Sequence, residues 1–298
     1  MAIRMVCMVG GDTSLLGPAI EHYRRLGVDR FHMVRHADSL DDPAVAASEE
    51  VMRRAGLAFS RVVVGPWHEH LNPAVIRETM SEHPDDWWVV ADLDEFQLYP
   101  DGLTAVIAYC ERNGYDFVQG AFLDRVASDG TLPEPDRSAP EALWRQYGLA
   151  GLLTLRLLHA RPTKVTLARG RTELSYGQHN SWSGRSVPPG DIYAQVHHFK
   201  WTGSACTRLA RRAESYASGA WEINNSVIIE ESLAFLEHVD AHGGRIDVSD
   251  SSFGFLPCGE AYTDYVNWPE VAAELAGRYT EFDAGRARRR RADPTLRL

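Results

Sequence analysis

Apolar and amphipathic runs alternate along the first third of the chain. Residues 3–9 form a short apolar run that breaks at Gly10-Gly11-Asp12, and residues 15–26 carry apolar positions at helical spacing before Gly27. That spacing predicts a strand, a loop and a helix. The unit then repeats: 30–34 reads as a strand, 36–42 as a polar loop and 43–55 as a helix closed by Gly56. A strand at 59–64, rich in β-branched residues, and a helix at 73–81 follow. Alternation at such short intervals predicts an α/β fold with a mostly parallel central sheet and helices on its faces.

A fourth strand is predicted at 87–91, and it runs straight into Asp92-Leu93-Asp94-Glu95-Phe96. Ligands of open α/β sheets collect at the carboxyl ends of strands, so this acidic cluster falls where a site is expected. Beyond it the pattern predicts a helix at 103–112 and a strand at 117–122. A Pro- and Gly-rich loop at 128–140 follows, fit to border a substrate cleft, then strands at 164–168 and 193–199. Residues 207–216 read as a helix bearing Arg208, Arg211 and Arg212, and 286–298, with Arg288 to Arg291 in a row, as a mobile tail.

Charge narrows the function. Across 298 residues, 31 basic side chains face 41 acidic ones, a net charge of -10 that argues against nucleic acid as a partner. Phosphate chemistry would then need a metal or a local basic patch. Cys7, Cys110, Cys206 and Cys258 are far apart with no CxxC pair, which predicts free thiols and excludes a zinc ribbon. No apolar run approaches the ~20 residues that span a bilayer. The amino terminus lacks the marks of a signal peptide, so a cytoplasmic protein is expected.

Two aspartates one residue apart suit a hard divalent cation, Mn²⁺ or Mg²⁺, which prefers oxygen ligands and keeps positions open for phosphates. On a regular strand Asp92 and Asp94 would point to one side. The competing reading is a solvated turn in which Asp94 caps a helix.

The run Asp92-Leu93-Asp94-Glu95-Phe96, followed by Tyr99-Pro100, resembles the DxD region of GT-A glycosyltransferases, in particular the bacterial family 2-like group in which it reads DxDEF. The likeness extends upstream to Glu21-His22-Tyr23-Arg24-Arg25-Leu26-Gly27-Val28-Asp29 and His36-Ala37-Asp38-Ser39-Leu40-Asp41. Downstream it takes in Asp124-Arg125-Val126-Ala127-Ser128-Asp129-Gly130-Thr131-Leu132-Pro133 and His197-His198-Phe199-Lys200-Trp201. The resemblance implies a single GT-A domain over residues 1–285, with a nucleotide-binding half at 1–100 and an acceptor-binding half at 101–285. It also implies metal-dependent transfer from a nucleoside diphosphate sugar to a glycan, natural product or peptide acceptor. In that frame Asp94 ligates the metal, Asp92 contacts the metal or the ribose, and His198 completes the metal site. Asp38 contacts the base, although the usual run of aspartates is replaced here by His36-Ala37-Asp38; Asp12 ranks below it, as a helix cap.

A departing diphosphate needs cationic partners, for which Lys164, Lys200, Arg208 and Arg211 are the candidates, with Arg212 on a solvated face. An inverting enzyme also needs a base for the acceptor hydroxyl. Asp124 is the first choice, with Glu173 and His179 as competitors. Most of the tryptophans belong to the core, while Trp182, set among Ser181, Ser183 and Gly184, is a candidate for acceptor contact. Two other readings stay open: a metal-dependent phosphohydrolase or nucleotidyltransferase using the same aspartates, and a non-catalytic nucleotide- or carbohydrate-binding protein.

Overall fold

Short, fully apolar strands need cover on both faces, and the first third of the chain supplies it with helices. The structure, a computed structural model, describes residues 2–68, 70–139, 141–222 and 227–277; the tail expected at 286–298 lies outside them. Its first elements are β1 (Ile3–Val9), α1 (Leu16–Arg25), β2 (Arg30–Ala37), α2 (Pro43–Arg54), β3 (Arg61–Val64), α3 (Leu71–Ser81) and β4 (Trp87–Val90). β1 pairs in parallel with β2 and β4, and β2 with β3. α2 starts where the sequence predicts: Asp42 accepts a hydrogen bond from the Ala44 amide at 2.9 Å, and Pro43 occupies the first turn. β2 runs longer than the pattern suggests. His36 and Ala37 are buried and pair with Val63 and Val64, so the polar loop begins only at Asp38.

The remaining elements are β5 (Glu95–Leu98), α4 (Leu103–Asn113), β6 (Phe117–Val126), α5 (Ala142–Gln146), β7 (Leu149–Gly151), α6 (Leu153–Arg156), β8 (Thr163–Arg169), β9 (Ala194–His198), α7 (Ala205–Ala217), α8 (Val227–Ala241) and β10 (Leu256–Pro257). The sheet order is β10-β7-β6-β8-β4-β1-β2-β3, and β9 pairs with both β6 and β5. The fold is therefore α/β, Rossmann-like and parallel through β3-β2-β1-β4. Beyond β4 the sheet is mixed: β8 is antiparallel to β4 and β6, and β9 is parallel to β6.

Two packing details fix where β9 lies. A Cβ on Gly120 would collide with the Ala194 carbonyl, so β6 and β9 approach as closely as they do only because position 120 is glycine. β5 then pairs antiparallel with β9, setting Glu95 opposite His198 and Phe96 opposite His197.

The main core lies under α1, α2 and α4 and includes Met5, Leu16, Tyr23, Trp87 and Phe96. A second core, with Trp201, Leu209 and Phe235, packs α7 and α8. Arg125 is fully buried and, among the described residues, forms no ion pair with a carboxylate. Its guanidinium instead donates to the carbonyls of Trp144, Tyr147, Cys258 and Gly259 and to His197 Nδ1. Burial lowers its pKa to about 10. All four cysteines are unpaired. Among the described residues no helix is long and apolar enough to cross a membrane.

Candidate functional site

The chain leaves β1 toward β2 and β3 on one side and returns to β4 on the other. The crevice at the carboxyl ends of β1 and β4 is thus a topological switch point. Asp12 emerges after β1, Asp38 after β2, and Asp92 and Asp94 after β4. The two aspartates of the last pair sit in a turn rather than on the strand. The Glu95 amide donates to the Asp92 carbonyl at 3.1 Å, and the Glu95 side chain accepts from the Asp92 amide at 3.0 Å. The turn sends the two carboxylates to different partners.

Asp92 meets Lys164, whose ammonium is 2.9 Å from Asp92 Oδ2 and 2.9 Å from Glu95 Oε1. The same ammonium donates to the Gly177 carbonyl at 3.2 Å and to Gln178 Oε1 at 3.0 Å. Lys164 and Glu95 are buried, while the Asp92 side chain is 38% exposed and still faces the crevice. Burial alone would depress the lysine pKa, but the two carboxylates outweigh it and hold the ammonium charged. For Asp92, burial is likewise outweighed by Lys164, and its pKa lies below the usual carboxylate value. For Glu95 burial wins, raising its pKa to about 7 against the pull of Lys164. One buried cation thus serves two acids, and Glu95 is the one left less well compensated.

Asp94 turns the other way. Its carbonyl accepts from the Phe199 amide at 2.7 Å, and its Oδ2 lies 3.7 Å from His198 Nε2. His198 Nδ1 is 3.1 Å from Asp124 Oδ1. Because a carboxylate accepts, the Nδ1–H is directed at Asp124, and Nε2 is the ring nitrogen turned toward Asp94. Asp124 itself is fully buried and also takes hydrogen bonds from the Thr154 amide at 2.6 Å, Thr154 Oγ1 at 2.7 Å and Trp201 Nε1 at 3.0 Å. Asp124, expected as the acceptor base, is thus held by four donors beneath His198. His197, as alternation along the strand predicts, points elsewhere, to Arg125 and Gln195.

α7 roofs the crevice with its basic side chains. Arg208 donates to the Lys200 carbonyl at 2.7 Å and to Ser204 Oγ at 2.9 Å, and lies 4.0 Å from Asp12. Ser204 Oγ donates in turn to Asp12. Arg211 pairs with Asp38 at 2.7 Å in an exposed contact. Arg212, expected on a solvated face, instead reaches across to Ser232 Oγ of α8 at 2.9 Å. The Lys200 ammonium lies 5.1 Å from the centre of the Trp201 ring and has no hydrogen-bond acceptor among the described residues. Its pKa falls to about 8, chiefly through burial and then the charge of Arg212, against the pull of Asp94 and Glu231.

The other two candidate bases differ in access. His179 Nδ1 donates to the Thr163 carbonyl at 2.6 Å, and burial together with the Lys164 charge lowers its pKa to about 3, so the ring is neutral. Glu173 is exposed, and among the described residues only its backbone is engaged in hydrogen bonds. Trp182 stands beside it, with its amide donating to the Glu173 carbonyl at 2.8 Å.

The donor set suits a divalent cation. Two ligands bound to one ion at ~2.1 Å lie roughly 3 to 4 Å apart, the range in which Asp94 Oδ2 and His198 Nε2 stand. Asp124, behind the imidazole, is the outer partner that fixes such a ligand's tautomer. Among the described residues no three His, Cys, Asp or Glu side chains converge on one point. A cation here would therefore keep most of its coordination for water and phosphate oxygens, which is how Mg²⁺ is commonly held.

Sequence spacing passed over Glu95, Gln178 and Thr154 as members of the site. The signal for Glu95 was its place at the head of the strand Glu95-Phe96-Gln97-Leu98, where an acid is fully buried only when paired.

No family model and no curated protein matches the chain. Among solved structures, S. aureus TarS is similar at 11% identity and a TM-score of 0.37, over 84% of this chain and 45% of TarS. TarS 1-349 in complex with UDP is similar at 9% identity and a TM-score of 0.37, over 84% of this chain and 74% of that one. A Bacillus anthracis protein assigned as a glucose-1-phosphate thymidylyltransferase, in complex with sucrose, gives 10% identity and a TM-score of 0.29 over 91% and 95%. The chain spans less than half the length of TarS. Likenesses this distant carry no argument about the site, and its chemistry is read from the geometry alone.

Proposed function

We propose that the protein is a metal-dependent glycosyltransferase of GT-A type that moves a sugar from a nucleoside diphosphate sugar to an acceptor hydroxyl. The observation that carries this reading is the β5–β9 pairing, which sets Asp94 against Nε2 of His198 at the carboxyl end of the parallel strands, beneath the basic face of α7. Residues 1–100 would hold the donor and 101–285 the acceptor, within one domain.

In the reaction the bond between the anomeric carbon and the diphosphate breaks, the acceptor oxygen takes its place, and the acceptor proton passes to a base. Asp94 and His198 would hold Mn²⁺ or Mg²⁺, which supplies Lewis-acid neutralisation of the diphosphate when bound. Lys200, whose ammonium has no acceptor among the described residues, and Arg208 would bind the phosphates through charge-assisted hydrogen bonds. Asp92, kept ionised by Lys164, would accept from the ribose hydroxyls, and the Asp38–Arg211 pair borders the base. Asp124 is a positioning residue that holds the His198 tautomer. Of the candidate bases, Glu173 is the one whose carboxylate is open to an incoming hydroxyl.

A thermal-shift screen of nucleoside diphosphates with and without Mn²⁺ tests the reading, because a ligand at 100 times its Kd adds about 2.7 kcal/mol. Stabilisation by one diphosphate only with Mn²⁺, lost in Asp94→Asn, supports it. Turnover of nucleoside triphosphates with release of pyrophosphate would replace it by a nucleotidyltransferase. Donor hydrolysis unaffected by any acceptor would favour a phosphohydrolase, and donor binding without turnover a binding protein.

A further inference from the structure

Residues 173–183 form a small hairpin that reaches the crevice beside α3 and β8. Its base is buried: Gln178 is 1% exposed, and Leu174 packs with Met80 and Trp88. Its arms are pinned by the Ser175 amide on the Asn180 carbonyl at 2.8 Å, the Trp182 amide on the Glu173 carbonyl at 2.8 Å and Ser181 Oγ on the same carbonyl at 2.8 Å. Through Gly177 and Gln178 the hairpin also holds Lys164, and hence Asp92.

On this rigid base stand two aromatic rings that the core does not use. Trp182 is 56% exposed and Tyr176 is 50% exposed. Among the described residues they are the only large aromatic side chains so exposed, and they touch, with centroids 5.5 Å apart at 80°. His70 also lies against Tyr176, with centroids 5.2 Å apart. Two large rings left in water together on a hairpin anchored by its backbone need a reason beyond folding, since burying them would stabilise the protein.

We propose that Trp182 and Tyr176 form the platform on which a saccharide acceptor stacks, with the Glu173 carboxylate at its rim. A pyranose ring has one apolar C–H face edged by hydroxyls, and this site offers the complement, an apolar aromatic surface beside a carboxylate. Two side chains present a few hundred Å² at most, against the roughly 1,200 Å² or more of a stable protein interface, so the surface is scaled to a small ring. The net charge of -10 and the nearby carboxylate disfavour a phosphorylated or membrane ligand. The acceptor role rests on the transferase reading; binding of the saccharide itself does not.

Saturation-transfer NMR with cellotriose, chitotriose and maltotriose on the full chain, without donor or metal, tests the platform. At least one trisaccharide should receive saturation, with its Kd weakened about tenfold in Trp182→Ala and in Tyr176→Ala and largely kept in Trp182→Phe. Both positions are exposed, and circular dichroism checks that the variants fold. The proposal is overturned if no trisaccharide binds, if binding survives both alanine variants, or if UDP or a Ser/Thr peptide takes up Trp182-dependent saturation in place of the sugars. UDP binding with Mn²⁺, measured on the same samples, separates the two readings. Trisaccharide binding without UDP binding leaves the platform standing and removes the donor site, and the converse removes only the platform.

Discussion

Lys164→Met removes the one cation that Asp92 and Glu95 share, at nearly constant side-chain length. The lysine is 2% exposed and its ammonium satisfies four acceptors, so the variant leaves buried Glu95 without its cation and Gln178 and Gly177 without their donor. Removing one partner of a buried pair costs about 3–5 kcal/mol. For a chain of this size that is a Tm lower by roughly 6–12 °C. The sign of the pH dependence follows from Glu95. Its folded pKa is already raised to about 7, above its unfolded value, so protonation favours the folded state as the pH falls through that region. Without Lys164 the pKa rises further, and each added unit returns about 1.4 kcal/mol to the variant on acidification. Urea titrations of both proteins at pH 8 and pH 5.5 should show a deficit smaller by at least about 1 kcal/mol at the lower pH. Lys164→Met combined with Glu95→Gln should recover part of the loss. A deficit under about 1 kcal/mol at pH 8, or one that grows on acidification, would refute the shared-cation account.

His198→Ala should abolish Mn²⁺-dependent binding of UDP, and Asp124→Asn should weaken it about 10–100-fold by releasing the imidazole tautomer; calorimetry with unchanged affinity would return both residues to packing. Glu173→Gln should retain donor binding and lose transfer, as an assay for the released diphosphate would show. His22 and His179 have folded pKa values of about 4 and about 3, below the unfolded value near 6.5, so their stabilising contribution is present above pH 6.5 and is lost as the pH falls. Between pH 6.5 and 5 the two together remove roughly 3 kcal/mol, about half of which Glu95 returns, and a stability-pH profile rising on acidification would contradict this. Gly120→Ala should cost about 1–3 kcal/mol or more by forcing β9 from β6, measured by thermal denaturation.

The parallel half was legible because each of its strands is bounded by an amphipathic helix, and the 3.6-residue period punctuates the chain. The second half was harder to read. β6 is buried along all ten residues and shows no alternation, and the four-residue β5 hides inside a motif that reads as a loop. The acids after β4 could be found from position, since strand ends in such sheets gather ligands. Their partners could not, because they come from register: only the antiparallel pairing of β5 with β9 sets His198 against Asp94, and only the fold of the 173–183 hairpin sends its carbonyls to Lys164. Asp124 shows the same limit. Its place at the end of a strand suggested a cleft residue, whereas the short turn into α6 caps it with Thr154 and buries it.

Arg125 sets a boundary for anyone trimming or fusing this chain. Two of the oxygens that solvate its charge belong to Cys258 and Gly259, more than 130 positions away in sequence. A version ending before Cys258 would take two of the five acceptors from a charge buried between Trp144 and Phe199, so minimal forms, split halves and carboxyl-terminal fusions should all keep the polypeptide intact through Gly259.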